Sequence, residues 1–153
     1  MSKFLLTSKN REIAAQIASL LNLGGQLLYG QTEWSILQNP ITYVLEMSGE
    51  QVSGVMGLEV KTPQITEMKH LCVHPDHRRK GLGLKLLKKG IQYATTDFVY
   101  GAIRSDNAVN LRNNFRAGLK PVAKHRGRGC EIIIFAGRRG AVNGLHVRGA
   151  QGS

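Results

Sequence analysis

The stretch that decides the fold is residues 71–84, which read LCVHPDHRRKGLGL. It begins as an alternating apolar strand that stops at Pro75, continues as a basic loop with two glycines, and leads into an amphipathic helix predicted over residues 83–95. Backbone N–H groups at a helix start are unpaired and carry the positive end of the helix dipole. Because glycine lets an anion approach the backbone closely, Gly81 and Gly83 predict a phosphate-binding loop.

Two common phosphate-binding patterns do not fit this loop. A Walker loop has four residues between its glycines and then Gly-Lys-Ser/Thr, a spacing that is absent here. A dinucleotide-binding fingerprint has a third glycine three residues after the second, where this sequence has Leu86. Both patterns are therefore excluded for this stretch.

The order of residues in the stretch matches a known family motif instead. The pattern L-x-V-x-P-x-x-R-x-x-G-x-G, at the junction of a strand and a helix, resembles motif A of the GNAT superfamily of acyl-CoA-dependent N-acyltransferases. The resemblance implies a mixed α/β fold, with a mostly antiparallel mixed sheet of six to seven strands, flanking helices and a central acyl-CoA cleft. It also implies acetyl-CoA as co-substrate, no metal, and transfer of the acetyl group to a primary amine by direct attack.

The resemblance also assigns residues to the acyl-CoA site. It implies that loop amides hold the pyrophosphate, and that the preceding strand splays from its neighbour at a bulge and pairs with the pantetheine arm. Asn107, after the next strand, and Gly118, eleven residues later, match two further family positions, although Asn107 is equally suited to cap a helix. The implied cofactor-binding residues are Leu71, Cys72, Val73, Arg78, Arg79, Lys80, Gly81, Leu82, Gly83, Leu84, Asn107 and Asn114.

The sequence departs from the family where many members carry a tyrosine as general acid to the leaving thiolate. Asn114 stands there, four residues before Gly118, and an amide cannot serve as an acid. Three alternatives stay open: another group or water protonates the thiolate, catalysis is weaker, or the protein binds acyl-CoA without turning it over. Tyr93 and Tyr100 are candidate substitutes for the acid.

Glu67 is the candidate general base. A primary ammonium with a pKa of about 10 must lose a proton before it attacks. Glu67 lies eleven residues before the motif arginine Arg78, an offset at which some GNAT enzymes place a glutamate base. The alternative is a strand glutamate that only pairs with Lys61 or Lys69, and His70 is the second candidate for the base.

Hydrophobic periodicity predicts the remainder of the chain as strands and helices. Predicted strands cover residues 4–7, 41–47, 52–60, 65–73, 98–104, 121–125 and 130–136. Predicted helices cover residues 13–21, 33–38, 83–95 and 107–117. The chain of 153 residues is thus expected to form one domain over residues 1–136. The Gly- and Arg-rich residues 137–153 are expected to be a flexible tail or a non-native extension.

Charge is distributed unevenly along the chain. Residues 1–67 hold four basic and six acidic residues, a net charge of −2, whereas residues 68–153 hold 17 basic and four acidic ones, a net charge of +13. Because the basic part attracts polyanions, a nucleic-acid-binding protein is an alternative function. This alternative is disfavoured, since many of the basic residues fall in the predicted pyrophosphate loop. The acidic part favours a cationic small-molecule or peptide amine as acceptor, with Glu33, Glu46 and Glu59 as candidate carboxylates.

Composition limits the class of protein further. No run of about 18 apolar residues occurs, so no membrane-spanning helix is predicted. Cys72 and Cys130 are too few for a disulfide framework or for a four-ligand zinc site, which indicates a reduced, cytoplasmic protein. Pro75 prevents the helix that would bring His70 and His74 together, so no metal site is predicted. The sequence leaves a homodimer open.

Overall fold

The computed structural model describes residues 2–4, 11–24 and 29–142 of the chain. Its strands are β1 (Ser2–Phe4), β2 (Thr42–Ser48), β3 (Gln51–Thr62), β4 (Ile65–Val73), β5 (Phe98–Arg104), β6 (Lys120–Arg126) and β7 (Glu131–Arg138). Its helices are α1 (Arg11–Gly24), α2 (Glu33–Gln38), α3 (Leu82–Tyr93), α4 (Ala108–Arg116) and the single turn α5 (Arg139–Val142). The order of these elements confirms the predicted mixed α/β fold class.

The described strands form one sheet in the order β1-β2-β3-β4-β5-β7-β6. Neighbouring strands are antiparallel except β4 and β5, which are parallel. The chain crosses between β4 and β5 through α3, because parallel neighbours need a long connection that returns to the same end of the sheet. The predicted mostly antiparallel mixed sheet with flanking helices is therefore confirmed.

Apolar side chains pack on both faces of this sheet. On one face, Met56 and Met68 lie in a cluster with the buried residues of α3. On the other face, Tyr43 and Val55 lie in a second cluster with α1 and α2. Helix α3 approaches β3 very closely, since a Cβ atom at Gly54 would lie 2.6 Å from Cδ1 of Leu86. This close packing fixes the start of α3 beside the end of β4.

The end of the domain differs from the sequence-based boundary at residue 136. Strand β7 continues to Arg138, where Gly137 pairs with Val99 and Arg138 with Phe98. The Arg138 guanidinium also lies 5.4 Å from the centre of the Phe98 ring. Residues 137–142, which composition assigned to a tail, are thus a strand end and the turn α5, whereas residues 143–153 lie outside the described residues.

Strand β1 lies at one edge of the sheet. Strand β1 pairs with β2 and includes Phe4, but residues 5–10, which hold most of the strand predicted at residues 4–7, lie outside the described residues. None of the described helices is both long enough and apolar enough to cross a membrane.

Candidate active site

A cleft opens in the middle of the sheet where β4 and β5 part. The parallel pairing of the two strands runs from Ile65 to Met68 of β4. Beyond that point residues 69–72 of β4 and residues 101–104 of β5 line a cavity of about 340 Å³. The other edge of β4 stays paired with β3 as far as Val73. Because β5 does not use the free edge of β4 there, the backbone at that edge is open to an extended ligand.

A β-bulge distorts β4 beside the cleft. Cys72 lies opposite Val55 and Lys69 lies opposite Gly57, so that two residues of β4, His70 and Leu71, face one residue of β3. His70 has a φ of 59°, in the left-handed region that residues other than glycine seldom occupy. A bulge bends its strand, and here it begins at His70, two residues after Met68, the last residue that pairs with β5. The bend is therefore the local reason why the two strands separate.

The basic loop after β4 leads to the N-terminus of α3. Arg79 and Gly81 have φ values of 66° and 73°, and Gly81 is the residue that precedes the helix. The Nε atom of Arg78 donates to the carbonyl oxygen of Val73 at 3.2 Å, which ties the loop to the end of β4. Arg78, Arg79 and Lys80 are exposed, and the first turn of α3 holds no acidic residue. The N-terminus of α3 is therefore open to an anion.

The first turn of α3 also contacts α4. Leu82, Gly83 and Leu84 form this turn, and a Cβ atom at Gly83 would lie 3.2 Å from Nδ2 of Asn113. Gly81 and Leu84 line a second, shallower depression on the lysine-rich surface of α3. The loop and the asparagine-rich helix α4 consequently lie next to each other.

Three asparagines of α4 and its cap line the far wall of the cleft. Asn107 caps α4 by accepting a hydrogen bond from the backbone N–H of Asn110 at 3.1 Å, so that its expected capping role is present and its cofactor role stays a prediction. Asn114 is 1% exposed, and its Nδ2 donates to the carbonyl oxygen of Asn110 at 2.8 Å. Its Oδ1 has no hydrogen-bonding partner within the described part of the chain. A buried amide oxygen without a partner is costly, and a ligand donor would satisfy it.

Glu67 borders the cleft and belongs to a group of four charges. Its Oε1 lies 3.5 Å from Nζ of Lys69 and 3.8 Å from Nζ of Lys61. Glu59, which lies opposite Glu67 on β3, accepts a hydrogen bond from Lys69 at 2.8 Å, and this bond lowers the pKa of Glu59. Glu67 thus pairs with lysines, as a purely structural glutamate would, and it also reaches the cleft, as a base must. Its catalytic role stays a prediction.

Aromatic and imidazole groups surround this cluster. Tyr100 lies beside Glu67 in the parallel register, and burial together with the Glu67 charge raises the pKa of its phenol. Tyr43 is fully buried under His70, and burial raises its pKa to about 12. Burial, aided by the Lys69 charge, lowers the pKa of His70. The cleft is thus lined by the Glu67 carboxylate and a neutral imidazole, and the phenols of Tyr43 and Tyr100 lie next to these two groups.

The structure brings together part of the predicted site. Six predicted residues line the cleft: Glu67, His70, Leu71, Cys72, Asn107 and Asn114. Val73 and the loop of residues 78–84 lie beyond it, at the end of β4 and the start of α3. Sequence analysis missed Asn110, although its position one helical turn after Asn107 is a signal that could have found it. It also missed Tyr43, which lies on β2 and has no local signal.

The sulfur and imidazole groups of the cleft do not form a metal site. Cys72 is largely enclosed, its Sγ lies 3.4 Å from the carbonyl oxygen of Leu20, and burial raises the pKa of its thiol. Within residues 2–4, 11–24 and 29–142, no group of three or more His, Cys, Asp or Glu side chains is placed to hold a metal ion. Cys72 therefore has the surroundings of a strand residue in the sheet.

Solved structures of other proteins share this fold. A putative acetyltransferase from Salmonella typhimurium with its cofactor acetyl-CoA is 16% identical, with a TM-score of 0.72 over 90% of this chain and 93% of that one. Spermidine N-acetyltransferase from Vibrio cholerae, in complex with CoA and spermine, is 12% identical, with a TM-score of 0.70 over 92% and 96% of the two chains. The ribosomal-protein-S18-alanine N-acetyltransferase from Escherichia coli is 17% identical, with a TM-score of 0.67 over 88% and 91%.

At the level of sequence, the similarity is to a family rather than to individual curated proteins. No curated protein matches this chain closely enough to count as a relative. The family profile of the Acetyltransferase (GNAT) family matches residues 14–114, a range that contains the bulged strand, the basic loop and the asparagine wall of the cleft. The chain therefore belongs to the GNAT family of acetyltransferases.

Proposed function

We propose that the protein is an N-acetyltransferase that moves the acetyl group of acetyl-CoA to a primary amine, which attacks the thioester directly. The observation that carries the proposal is the cleft between β4 and β5, which opens at the bulge and leads to the acid-free N-terminus of α3. Acetyl-CoA supplies an activated acetyl group. The chain has to bind the extended arm, hold the phosphates, orient the two reactants and take up a proton.

The residues around the cleft fit an acyl-CoA. The free backbone edge of residues 71–73 suits the amide-containing pantetheine arm, which would pair with it as an added strand does. Oδ1 of Asn114 offers a buried acceptor for an N–H of the same arm, and Asn107 lies on the same wall. The loop of residues 78–84 would hold the pyrophosphate through its backbone N–H groups and its basic side chains.

Glu67 would act as the general base. The amine nitrogen forms a bond to the acetyl carbonyl carbon, the carbon–sulfur bond breaks, and the sulfur leaves with the electron pair. The proton released by the amine goes to the Glu67 carboxylate, directly or through one water. Nζ of Lys61 and Nζ of Lys69 lie within 4.0 Å of that carboxylate, at its edge of the cleft.

The acceptor would be a small-molecule or peptide amine that carries a positive charge before it reacts. Two of the similar solved structures are named for amine acceptors, spermidine in one and the alanine of ribosomal protein S18 in the other. The electrostatic support comes mainly from Glu67, because it borders the cleft. The other candidate carboxylates do not line the cleft, and each of them, like Glu67, pairs with a basic group: Glu33 with Arg11, Glu46 with Lys85, and Glu59 with Lys69.

One observation favours a second function, a protein that binds acyl-CoA without turning it over. Asn114 stands where the family places its acid, and the orientation of its amide is held by the Nδ2 bond to Asn110. The group left toward the ligand is therefore a carbonyl oxygen, which accepts a hydrogen bond and cannot protonate a thiolate. Such a protein would hold acyl-CoA tightly and release it unchanged.

Thiol release from acetyl-CoA, measured across a panel of primary amines, separates these two functions. The panel contains polyamines, aminoglycosides, amino acids and peptides with free N-termini, and calorimetry measures acetyl-CoA binding on the same preparation. We expect binding together with amine-dependent thiol release and an N-acetyl product. Binding without release for any amine would support the silent binder, and absence of binding would contradict both functions.

A further inference from the structure

His70 occupies an unusual position in the cleft. It is the residue of the β4 bulge with the left-handed φ of 59°, a conformation that costs free energy for a side chain other than glycine. It lines the cleft between Glu67 and Leu71 and is half-buried. Such a strained conformation persists only where the surrounding structure holds it, and it is common at functional sites. The position of His70 at the edge of the cleft therefore suggests a functional role.

A chain of hydrogen bonds fixes the tautomer of His70. The amide of Asn39 is oriented by its Oδ1, which accepts from the backbone N–H of Ile41 at 3.0 Å. Its Nδ2 therefore donates to the Tyr43 hydroxyl at 3.1 Å. The one hydroxyl hydrogen of Tyr43 is then left for Nδ1 of His70, also at 3.1 Å. Since Nδ1 accepts, a neutral His70 carries its hydrogen on Nε2.

The surroundings of His70 maintain this arrangement. The rings of Tyr43 and His70 stack with centroids 6.1 Å apart and an angle of 20° between their planes. Tyr43 keeps its proton because burial raises its pKa to about 12, and His70 stays neutral because burial lowers its pKa. Lys69, next to His70 in the chain, adds a positive charge that opposes protonation of the ring, whereas Glu59 weakly favours it.

The fixed tautomer determines what His70 can do. A general base needs a lone pair on the nitrogen that faces the substrate, and here the lone pair is on Nδ1 and is engaged by Tyr43. The remaining group, Nε2–H, is a donor that has no hydrogen-bonding partner among the described residues. His70 is therefore unsuited to the base role and suited to donate a hydrogen bond into the cleft.

We propose that Nε2–H of His70 donates a hydrogen bond to the acetyl carbonyl oxygen while negative charge develops on it during the attack of the amine. This inference rests on the proposed acetyl transfer and adds a residue to it. The electron pair of the carbonyl double bond moves to the oxygen as the amine bonds to the carbon, and it returns as the carbon–sulfur bond breaks. His70 gives no proton in either step, and the proton of the amine goes to Glu67 as before.

Removal of the donor tests the inference kinetically. His70→Ala should lower kcat roughly 10²–10³-fold, the loss typical of one oxyanion donor. The KM of the acceptor and the calorimetric affinity for acetyl-CoA should change little. His70→Gln, whose side-chain amide can place an N–H near the Nε2 position, should recover a large part of kcat. Equal losses for Ala and Gln, an unchanged kcat, or a change confined to the acceptor KM would overturn the inference.

Tyr43 supplies a second test with a readout besides activity. Nitrogen NMR of histidine-labelled protein should show Nε2–H and an unprotonated Nδ1 for His70, and Tyr43→Phe should produce a mixture of tautomers. Tyr43→Phe should lower kcat only when residue 70 is histidine, because glutamine has no tautomer to fix. Nδ1–H in the wild type overturns the inference even if the enzyme is active. Absence of turnover in the wild type with every amine overturns the proposed function itself.

Discussion

The two halves of β4 differ in pairing, packing and shape although they are one strand. Residues 65–68 pair with strands on both sides, and Thr66 and Met68 are buried. Among the described strands, residues 69–73 pair with β3 alone, and they contain the bulge and are all half-buried. In the first half the backbone is fully paired, so only a side chain such as that of Glu67 can serve the cleft, whereas the open backbone edge of the second half is itself available to a ligand. A binding cleft thus arises where the pairing of a sheet stops.

Glu67 lies at the boundary between the halves, and its substitution should have the largest effect. Glu67→Gln keeps the shape of the side chain and removes its basicity. We expect kcat to fall about 10²–10⁴-fold with acetyl-CoA binding intact, because general-base catalysis contributes that much. Steady-state kinetics across pH measures this, and the acid limb of the pH–rate profile should flatten.

Glu59→Gln is the matched control for this prediction. Glu59 lies opposite Glu67, has a similar side-chain exposure of 18% against 19%, and pairs with the same lysines. It does not belong to the residues that line the described cleft. If Glu59→Gln slows the reaction as strongly as Glu67→Gln, the charge cluster as a whole matters and Glu67 is not the base.

Met68 tests the structural half of the comparison. Its side chain is 4% exposed and lies in the core against α3, so that Met68→Ala should lower the free energy of unfolding by about 2–5 kcal/mol. Chemical denaturation measures the loss. Leu71→Ala, three residues later in the half-buried part of the strand, should cost clearly less. Equal losses at the two positions would show that both halves of β4 belong to the core to the same degree.

The loop of residues 78–84 follows the open half of β4 and is the predicted pyrophosphate site. Gly81→Asp adds bulk and negative charge where the pyrophosphate is expected, and acetyl-CoA affinity should fall at least about tenfold, or roughly 1.4 kcal/mol. Gly81 has a left-handed backbone, so Asp at this position also introduces backbone strain, which needs a control of its own. Gly83→Asp is less clean, because its side chain would press on Asn113.

Gly129→Asp is the control for backbone strain in this experiment. Gly129 has a φ of 75°, close to the 73° of Gly81, and a Cβ atom at either position meets nothing within 4 Å. It lies in the turn between β6 and β7, away from the loop. Calorimetry should give a near-normal acetyl-CoA affinity for Gly129→Asp. Unchanged affinity for Gly81→Asp would remove the loop from the cofactor site.

Local sequence patterns predict the elements of this comparison, whereas the bulge and the separation of the strands are expected only from the family resemblance. Apolar alternation bounded by turns predicts the ends of β4 and β5 correctly, and the glycine motif predicts the loop that starts α3. The left-handed residue of the bulge is a histidine, which indicates that conformation far less strongly than a glycine would. The contact of His70 with Tyr43 joins residues 27 positions apart, and only the register of β2, β3 and β4 brings them together.

The charged residues beside the cleft should have the smallest effect on activity, through the choice of acceptor amine. The group of Glu59, Glu67, Lys61 and Lys69 is balanced, so the field that a cationic acceptor meets is weak. At low salt we expect kcat/KM for a polyamine to exceed that for an acidic amino acid. The preference should shrink above roughly 0.1 M salt, where the screening length is about 10 Å.

Removal of one lysine should strengthen that preference. Lys69→Gln leaves the two carboxylates with less positive charge beside them, and the preference for the cationic amine should rise at low salt. Lys120→Gln, on the exposed strand β6, removes the same charge at a position that does not line the cleft and should leave the preference unchanged. If the anionic amine is preferred, or if neither salt nor Lys69→Gln moves the ratio, pocket shape selects the acceptor. The electrostatic argument from residues 1–67 would then be wrong.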